Sequence, residues 1–542
     1  MGQQEPGGIR LLMLGLAVLL PSVWLDTSLT GSDEYNITFP TTLETTISDD
    51  WTVPTLAGEP RLRKPPLYYW LLATSNSLFG SSPLALRFWG VLAGTLLAIF
   101  TAMLGQRCCG ANPTLTFVIL ISTIGLATES RRAMLDIPMA FLVICSIERI
   151  VCWKTNGGTK KAAFAGGLLG LAMLIKPTAI LFGFTGLVSL LLFGPKRSSS
   201  TRLLDLVFFV LGFLLLAAPW WLLVADRYPE LLQQRWQEQV AHRELSWIHI
   251  EAIPSLLGGV LGLIVPWSFL AIAALFSFLK KKSAGLETPE RWLAIWVILS
   301  IIPFLFIKTF ERYLIPILPV MAILVSSYLE TLSHGARKKH LLIATLLIGI
   351  PCLFIAGFVG WFDCSLHAAV LVTGAWVIML LVSLGGSAIS SALAGAGLLS
   401  LVMGIALPSI GIGALPRFPE ACQGTNLTMI GSQIFPTLSL RQGKLIPTLS
   451  VDPELLASSL PREKTTLIVR DKNIQGLTEA LAISARKAQK VATFGAFQSR
   501  KTFVRFPRPD VTEEDWKTAI QNRSLDSLRI PCSIYLLEAA TP

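Results

Sequence analysis

Apolar and polar stretches alternate along most of this chain on the scale of a bilayer. Runs of about 20 predominantly apolar residues, enough to cross a hydrocarbon layer as helices, recur from Leu11 to near Pro408, with short polar loops between them. The first run, Leu11 to Leu25, follows a short segment carrying Arg10. Leu19-Leu20-Pro21-Ser22 is not a small-x-small cleavage site and many apolar runs follow, so it reads as an uncleaved helix. Pro66–Phe79 is too short to span comfortably and reads as a re-entrant or tilted hairpin, with Phe79-Gly80-Ser81-Ser82-Pro83 turning back before Leu84–Gly105 crosses. The segments flanking Lys176-Pro177 are also short, a broken-helix pattern tolerated where backbone lines a cavity. Run lengths give about thirteen crossings.

The pattern changes near residue 410. Beyond it the chain is polar, with strand-like Thr466–Arg470, Lys490–Phe494 and Ile534–Glu538, a helical Thr478–Gln489 and a second helix starting near Asp510. The expected architecture is therefore an α-helical polytopic membrane domain, residues 1–410, with juxtamembrane helices in the loop 26–65. A small α/β domain, residues 411–542, follows outside the membrane.

Basic residues in short loops orient such a bundle. They fall in Gln106–Asn112, Arg149–Lys161, Pro195–Arg202, Lys280–Arg291 and His334–His340. With these in the cytoplasm, the loop opening at Asp33, Glu129–Asp136, Lys176-Pro177, Asp226–Ala252, Lys308–Arg312 and Trp361–His367 share the outer face. The C-terminal domain lies there too, where a disulfide between Cys422 and Cys532 is permitted; two buried thiols are the alternative. Cys108, Cys109, Cys145, Cys152 and Cys352 have no metal-ligand spacing.

Composition fits this picture: 52% hydrophobic and 15% charged residues, with a mean hydropathy of +0.61. The net charge of +11 sits largely in the cytoplasmic loops, as anionic lipid favours, and nucleic acid is not an expected partner. There is no Walker A sequence and no Gly-rich dinucleotide fingerprint, which removes support for an ATP-driven pump or a nucleotide-sugar enzyme built on a Rossmann domain.

The outer-face charges carry the chemistry. Asp33 is open to two readings, a general base or the cap of a short helix beginning at Glu34. Arg61, Arg63 and Lys64 either bind a lipid-linked phosphate or snorkel beside Tyr68-Tyr69-Trp70. Arg131, Arg132 and Asp136 form a charged turn, with pairing of Arg131 to Asp136 as the plain alternative to an anionic ligand. Lys176 has no partner nearby in sequence. Glu238 and His242 stand four apart, on one helix face, in a loop that otherwise reads as an amphipathic surface helix. Lys308 and Arg312 flank the start of a helix at Leu314.

In order along the chain, these segments resemble the polyprenyl-phosphate-sugar glycosyltransferases of the GT-C superfold, in the bacterial aminoarabinose (lipid A) transferase-like branch related to protein O-mannosyltransferases. The resemblance runs from Asp33 to about Val320. It rests on Asp33-Glu34, Asp50-Trp51-Thr52-Val53-Pro54, Gly58-Glu59-Pro60, Lys64-Pro65-Pro66-Leu67-Tyr68-Tyr69-Trp70, Arg131 through Asp136, Lys176-Pro177, Pro266-Trp267 and Arg312-Tyr313-Leu314. It implies sugar transfer from a lipid phosphate such as undecaprenyl phosphate to a lipid or protein acceptor at the outer side of a bacterial inner membrane. Asp33, with Glu34, is then the catalytic carboxylate candidate. Arg63, Lys64, Arg131, Asp136, Lys176, His242, Lys308, Arg312 and Tyr313 are candidates for the donor phosphate or the cavity electrostatics.

Two positions depart from the family. A carboxylate often precedes its Lys-Pro and is associated with a divalent ion together with a later histidine; here Arg63 stands there, which leaves His242 without a partner. A bound divalent cation is therefore doubted though still open, and no other cofactor is implied. The family's cation three residues after the acidic Asp is here Asn36. A transporter or flippase of lipid-linked sugars is the competing reading, opposed by charges gathered at one face and by the lack of an inverted repeat.

Overall fold

The computed structural model describes residues 7–28, 31–194, 203–237, 253–280, 289–306, 309–432, 435, 437–497 and 506–540. Up to residue 409 the apolar runs form helices, as backbone away from water must bond to itself. They are α1 (Gly8–Leu19), α2 (Phe39–Ile47), α3 (Leu67–Phe79), α4 (Pro83–Cys109), α5 (Pro113–Ile121), α6 (Ile124–Glu129), α7 (Asp136–Asn156), α8 (Thr159–Ile175) and α9 (Ala179–Phe193). There follow α10 (Leu203–Arg227), α11 (Pro229–Trp236), α12 (Ile253–Leu263), α13 (Ser268–Lys280), α14 (Arg291–Leu305), α15 (Leu318–Thr331), α16 (His334–Trp361), α17 (Leu366–Leu384) and α18 (Ala388–Leu401).

Among the described residues six helices are long and apolar enough to cross a membrane, namely α4, α10, α15 with its leading turn, α16, α17 and α18 with its trailing turns. The pair α12–α13, bent by 105°, makes a seventh if counted as one span, and α1, α9 and α14 are shorter apolar helices. With these three the total is ten, and a count of about thirteen needs further helices, such as α5, α7 and α8, to cross as well. The bend is pinned from inside the bundle: the Ile124 amide donates to the Val265 carbonyl at 2.9 Å, and Trp267 Nε1 donates to Ser122 Oγ at 2.9 Å.

The loop after α1 is built rather than loose. A π-helical turn, Glu34–Thr38, leads into α2, and a two-residue turn joins β1 (Thr55–Leu56) to β2 (Glu59–Pro60). That turn needs positive φ at Ala57 (56°) and Gly58 (79°), the geometry that matches hairpin twist. The Glu44 carboxylate accepts from Ala57 N at 2.7 Å, Gly58 N at 3.1 Å and Thr55 Oγ1 at 2.7 Å. The loop is then stitched to the bundle. Trp220 Nε1 donates to the Thr52 carbonyl at 2.8 Å, and Asp50 pairs with Arg227 at 2.5 Å.

Pro66–Phe79 does turn back through Gly80–Ser82 onto α4, where Ser82 caps the helix. The 13 residues of α3 measure about 20 Å, too short to cross. They pack on α2 as well as α4, so α3 belongs to the first loop's own layer.

The C-terminal part is a five-stranded sheet of order β4-β3-β5-β7-β6, with β3 (Asn426–Ile430), β4 (Thr448–Leu449), β5 (Thr465–Arg470), β6 (Ala488–Ala496) and β7 (Ile530–Leu537). The strand-like segments read from the sequence are β5, β6 and β7. The helix expected over Thr478–Gln489 is instead Ile474–Ile483, because Ala485 turns to φ 52° and Ala488 already enters β6. The second helix, Glu513–Asn522, starts on a Thr512–Asp515 capping box. Cys422 and Cys532 are both buried and unbonded, and burial pushes the Cys532 thiol up to about 12. The domain docks on the bundle: Arg441 binds Asp26 at 3.0 Å and the Trp24 carbonyl at 3.1 Å, while Phe506 packs edge-on against Phe358.

Candidate functional site

Asp33 precedes the π-helical turn but makes no capping hydrogen bond; its carboxylate instead pairs with Arg312. The cap reading of this residue therefore fails, because a guanidinium offers a stronger, charge-assisted partner than a backbone amide. Asp33 remains 38% exposed and Arg312 21% exposed. Glu34, its neighbour, points the other way. It is fully buried, takes a two-point contact from Arg87 at 2.8 and 3.0 Å, and accepts from the Ala133 amide at 2.9 Å. Arg87 spends its remaining nitrogen on the Leu25 carbonyl at 3.1 Å. One residue of the acidic pair thus faces the cluster while the next ties the loop to α4 and to the 129–136 turn.

The same division occurs between Arg131 and Arg132. Arg131 does not pair with Asp136: it is fully buried and donates to the carbonyls of Val18 at 2.7 Å and Ala127 at 2.5 Å, clamping the end of α1. Arg132 pairs with Glu129 at 2.6 Å. Burial pushes the Glu129 carboxyl up, with Arg132 pulling it back, and Glu129 Oε2 has no hydrogen-bond partner among the described residues. This turn lies directly on α4, where Gly90 has no room for a side chain: a Cβ would stand 2.6 Å from the Ser130 carbonyl oxygen and 2.7 Å from that of Arg132.

Asp136 opens α7 and meets Lys176 at 2.5 Å, both nearly fully buried. Lys176 sits where the backbone leaves α8 in an extended conformation, φ −153° and ψ 124°, so its side chain projects from the break between α8 and α9. Its Nζ lies 3.5 Å from the centroid of the Tyr313 ring, and Lys64 Nζ lies 5.9 Å from the same ring. The turn Glu311–Ile317 that carries Arg312 packs on α6 and α7, which end and begin on Glu129 and Asp136. Asp33, Lys64, Glu129, Asp136, Lys176, Arg312 and Tyr313, drawn from separate loops, therefore form one cluster at one end of the bundle.

Arg63 is exposed beside the cluster. Arg61 turns to Tyr69, donating to its hydroxyl at 3.2 Å. Lys308 and His242 lie outside the described residues. Among the described residues no three His, Cys, Asp or Glu side chains converge as a metal site. Glu129 and Arg132 had no signal in the sequence beyond membership of a charged turn. The choice between adjacent arginines is made by which one points back along α1.

Chemically the cluster offers a half-exposed carboxylate at its rim, fixed cations around an aromatic ring, and a buried carboxylate oxygen with an unused lone pair. This suits an anionic substrate carrying a group to be deprotonated or displaced, without help from a nucleotide.

Residues 63–222 match the family described as dolichyl-phosphate-mannose-protein mannosyltransferase. A curated relative, an uncharacterised protein of Aquifex aeolicus (strain VF5), is 27% identical over 316 residues, 55% of this chain and 59% of the relative. The undecaprenyl phosphate-alpha-4-amino-4-deoxy-L-arabinose arabinosyl transferase of Yersinia pestis (strain Pestoides F) is 26% identical over 340 residues, 57% of this chain and 58% of that protein. The alignments thus span less than two thirds of these relatives. Among solved structures, ArnT from Cupriavidus metallidurans bound to undecaprenyl phosphate superposes with a TM-score of 0.67 at 17% identity, covering 97% of both chains. The same protein in the apo state gives 0.65 at 18%. The chain shares that fold over 97% of its length, in keeping with the resemblance read from its motifs.

Proposed function

We propose that this multi-pass chain of GT-C fold is a glycosyltransferase that moves a sugar from a polyprenyl-phosphate carrier to a lipid A-like or protein acceptor. The reaction takes place at the outer face of a bacterial inner membrane. The observation that carries this reading is the convergence of Asp33, Asp136, Lys176 and Arg312 from four separate loops, in a fold shared with a protein crystallised with undecaprenyl phosphate.

Displacement at an anomeric carbon needs a base for the acceptor and stabilisation of the departing phosphate. Asp33 takes the proton of the acceptor hydroxyl or amine as the new bond to the anomeric carbon forms. The bond from that carbon to the phosphate oxygen breaks, and its electron pair stays on the polyprenyl phosphate. Arg312 and Lys64 meet that charge, and preorganised cations of this kind are worth more in a dry site than in water. The donor phosphate competes with Asp33 for Arg312, so donor binding frees the carboxylate to act as a base. Lys176, neutralised by Asp136, sets the potential beneath Tyr313. Glu129 Oε2 takes a hydrogen-bond donor of the sugar, since a buried oxygen without a partner is costly until one arrives. Glu34 and Arg131 position the loop and α1 rather than touching substrate. Arg63 lines the rim, and Lys308, four residues before Arg312 in the chain, joins Arg312 and His242 as a ligand of the donor phosphate. Residues 1–410 form the catalytic domain, and residues 411–542 an external domain that restricts the acceptor.

The test is a transfer assay in detergent with an undecaprenyl-phosphate sugar, comparing wild type with Asp33→Asn. Loss of transfer in the variant supports the assignment, and near wild-type transfer removes Asp33 as the base. A wild type that transfers from no polyprenyl donor but moves lipid-linked sugar across liposomes would be a transporter instead.

A further inference from the structure

Away from the charged cluster, α16 and α17 turn apolar faces outward. Both are long and apolar enough to cross a membrane, and Phe354, Val370 and Leu381 are largely exposed on them, so lipid chains cover these faces in a bilayer. Between the two helices, at the end nearest the C-terminal domain, lies a cleft of 870 Å³ whose walls include Gly357, Gly360, Trp361, Val370, Gly374 and Ile378. Its depth comes from missing side chains: a Cβ built on Gly357 or Gly374 meets no atom within 4 Å. At the mouth Trp361 is 48% exposed, the setting of an interfacial aromatic residue. Over its indole stands the guanidinium of Arg523, 4.9 Å from the ring, delivered by the C-terminal cap of the helix Glu513–Asn522. Arg523 has no ion pair among the described residues.

An apolar cleft in the bilayer that ends on a cation at the interface has the shape and charge of a phospholipid with a net negative headgroup. We infer that one anionic phospholipid of the surrounding bilayer binds here, an acyl chain in the α16–α17 cleft and its phosphate on Arg523. Arginine holds a phosphate by two parallel hydrogen bonds, and the cation selects net anionic over zwitterionic headgroups. The lipid then joins the membrane domain to the C-terminal domain, since α16 and α17 supply the cleft and the other domain supplies the cation. None of these residues belongs to the Asp33–Arg312 cluster, and the site does not rest on the catalytic reading.

Native mass spectrometry of the full-length protein in detergent tests this, titrating phosphatidylglycerol and phosphatidylcholine with identical acyl chains. Wild type is expected to retain one phosphatidylglycerol several-fold more strongly than phosphatidylcholine. Arg523→Gln should reduce that preference to parity while the melting temperature in lipid-free detergent stays put. Gly374→Leu, which fills the cleft, should weaken the retained copy of either lipid. Equal retention of the two lipids by wild type, or an Arg523→Gln protein with its preference intact, would overturn the proposal.

Discussion

Asp33 and Arg312 stand 279 residues apart in the chain and meet as an ion pair. The pair joins the first polar loop to the start of α15, and it brings the proposed base and a proposed phosphate ligand into direct contact before substrate arrives. Removing either partner therefore has different consequences.

Asp33→Asn removes the base but leaves the cations in place. It should lower kcat by roughly 10²–10⁴-fold, the usual worth of general base catalysis, with the KM for donor unchanged or lowered, since the phosphate no longer displaces a carboxylate from Arg312. Arg312→Ala should raise that KM as well. Steady-state transfer kinetics with a polyprenyl-phosphate sugar separate the two, and equal effects on kcat and KM in Asp33→Asn would remove the base assignment.

Glu34 and Arg87 are both fully buried. Cutting either to alanine strands the other charge, at a cost of roughly 3–5 kcal/mol. Thermal melting in detergent should show a large drop for each single variant and substantial recovery in the Glu34→Leu, Arg87→Met double variant. Activity should stay low in all three, because Asp33 loses its anchor. A mild single variant would mean that the pair is not what fixes the loop.

Tyr313 holds Lys176 against its ring. Tyr313→Phe keeps the ring and should hold the donor KM within about twofold, whereas Tyr313→Leu should weaken donor binding by up to about 2 kcal/mol, the upper worth of a desolvated cation–π contact. If Phe and Leu behave alike, the hydroxyl matters and the ring does not.

Asp50 is held below its ordinary 3.8, first by its hydrogen bonds from Thr52 and then by Arg227. A folded-state value that is depressed gives stability that is present above the unfolded value and lost as pH falls through the folded one. The loop's tether to α10 should thus be intact at neutral pH and fail only below about pH 4. Limited proteolysis of the loop should show Asp50→Asn cut faster than wild type at pH 7, with the difference gone at low pH. A difference that persists once the Asp50 carboxyl is fully protonated would assign the protection elsewhere.

Gly90 touches no proposed catalytic group, yet a methyl there presses on two carbonyls of the turn that carries Arg132. Gly90→Ala should cost about 1–3 kcal/mol and lower transfer. Gly397→Ala, whose added carbon meets nothing within 4 Å, should be silent on both. Full activity in Gly90→Ala would show that the turn tolerates displacement.

The helical bundle and the grouping of charges at one end were legible because apolar run length and loop charge are properties of sequence alone. Which member of each charged doublet faces the cluster was not. Asp33 against Glu34, and Arg132 against Arg131, differ by one step of about 100° around a helical turn, and the outcome depends on Arg87 and on the carbonyls at the end of α1, far away in the chain. Strands β3 and β4 were missed for a related reason. β4 is two residues long and exists through its pairing with β3, which no local pattern announces. Lys176 was the easier case, since a cation beside a proline between two short apolar segments has few places to go.

The contact of Arg441 with Asp26 spans 415 residues. The loop that carries Asp33 emerges from the ribosome early, and Arg441, its brace, emerges only after helices α2 to α18. Every helix between them is made before that brace exists, so the loop joins the C-terminal domain as a late step of folding rather than as part of inserting the first helices.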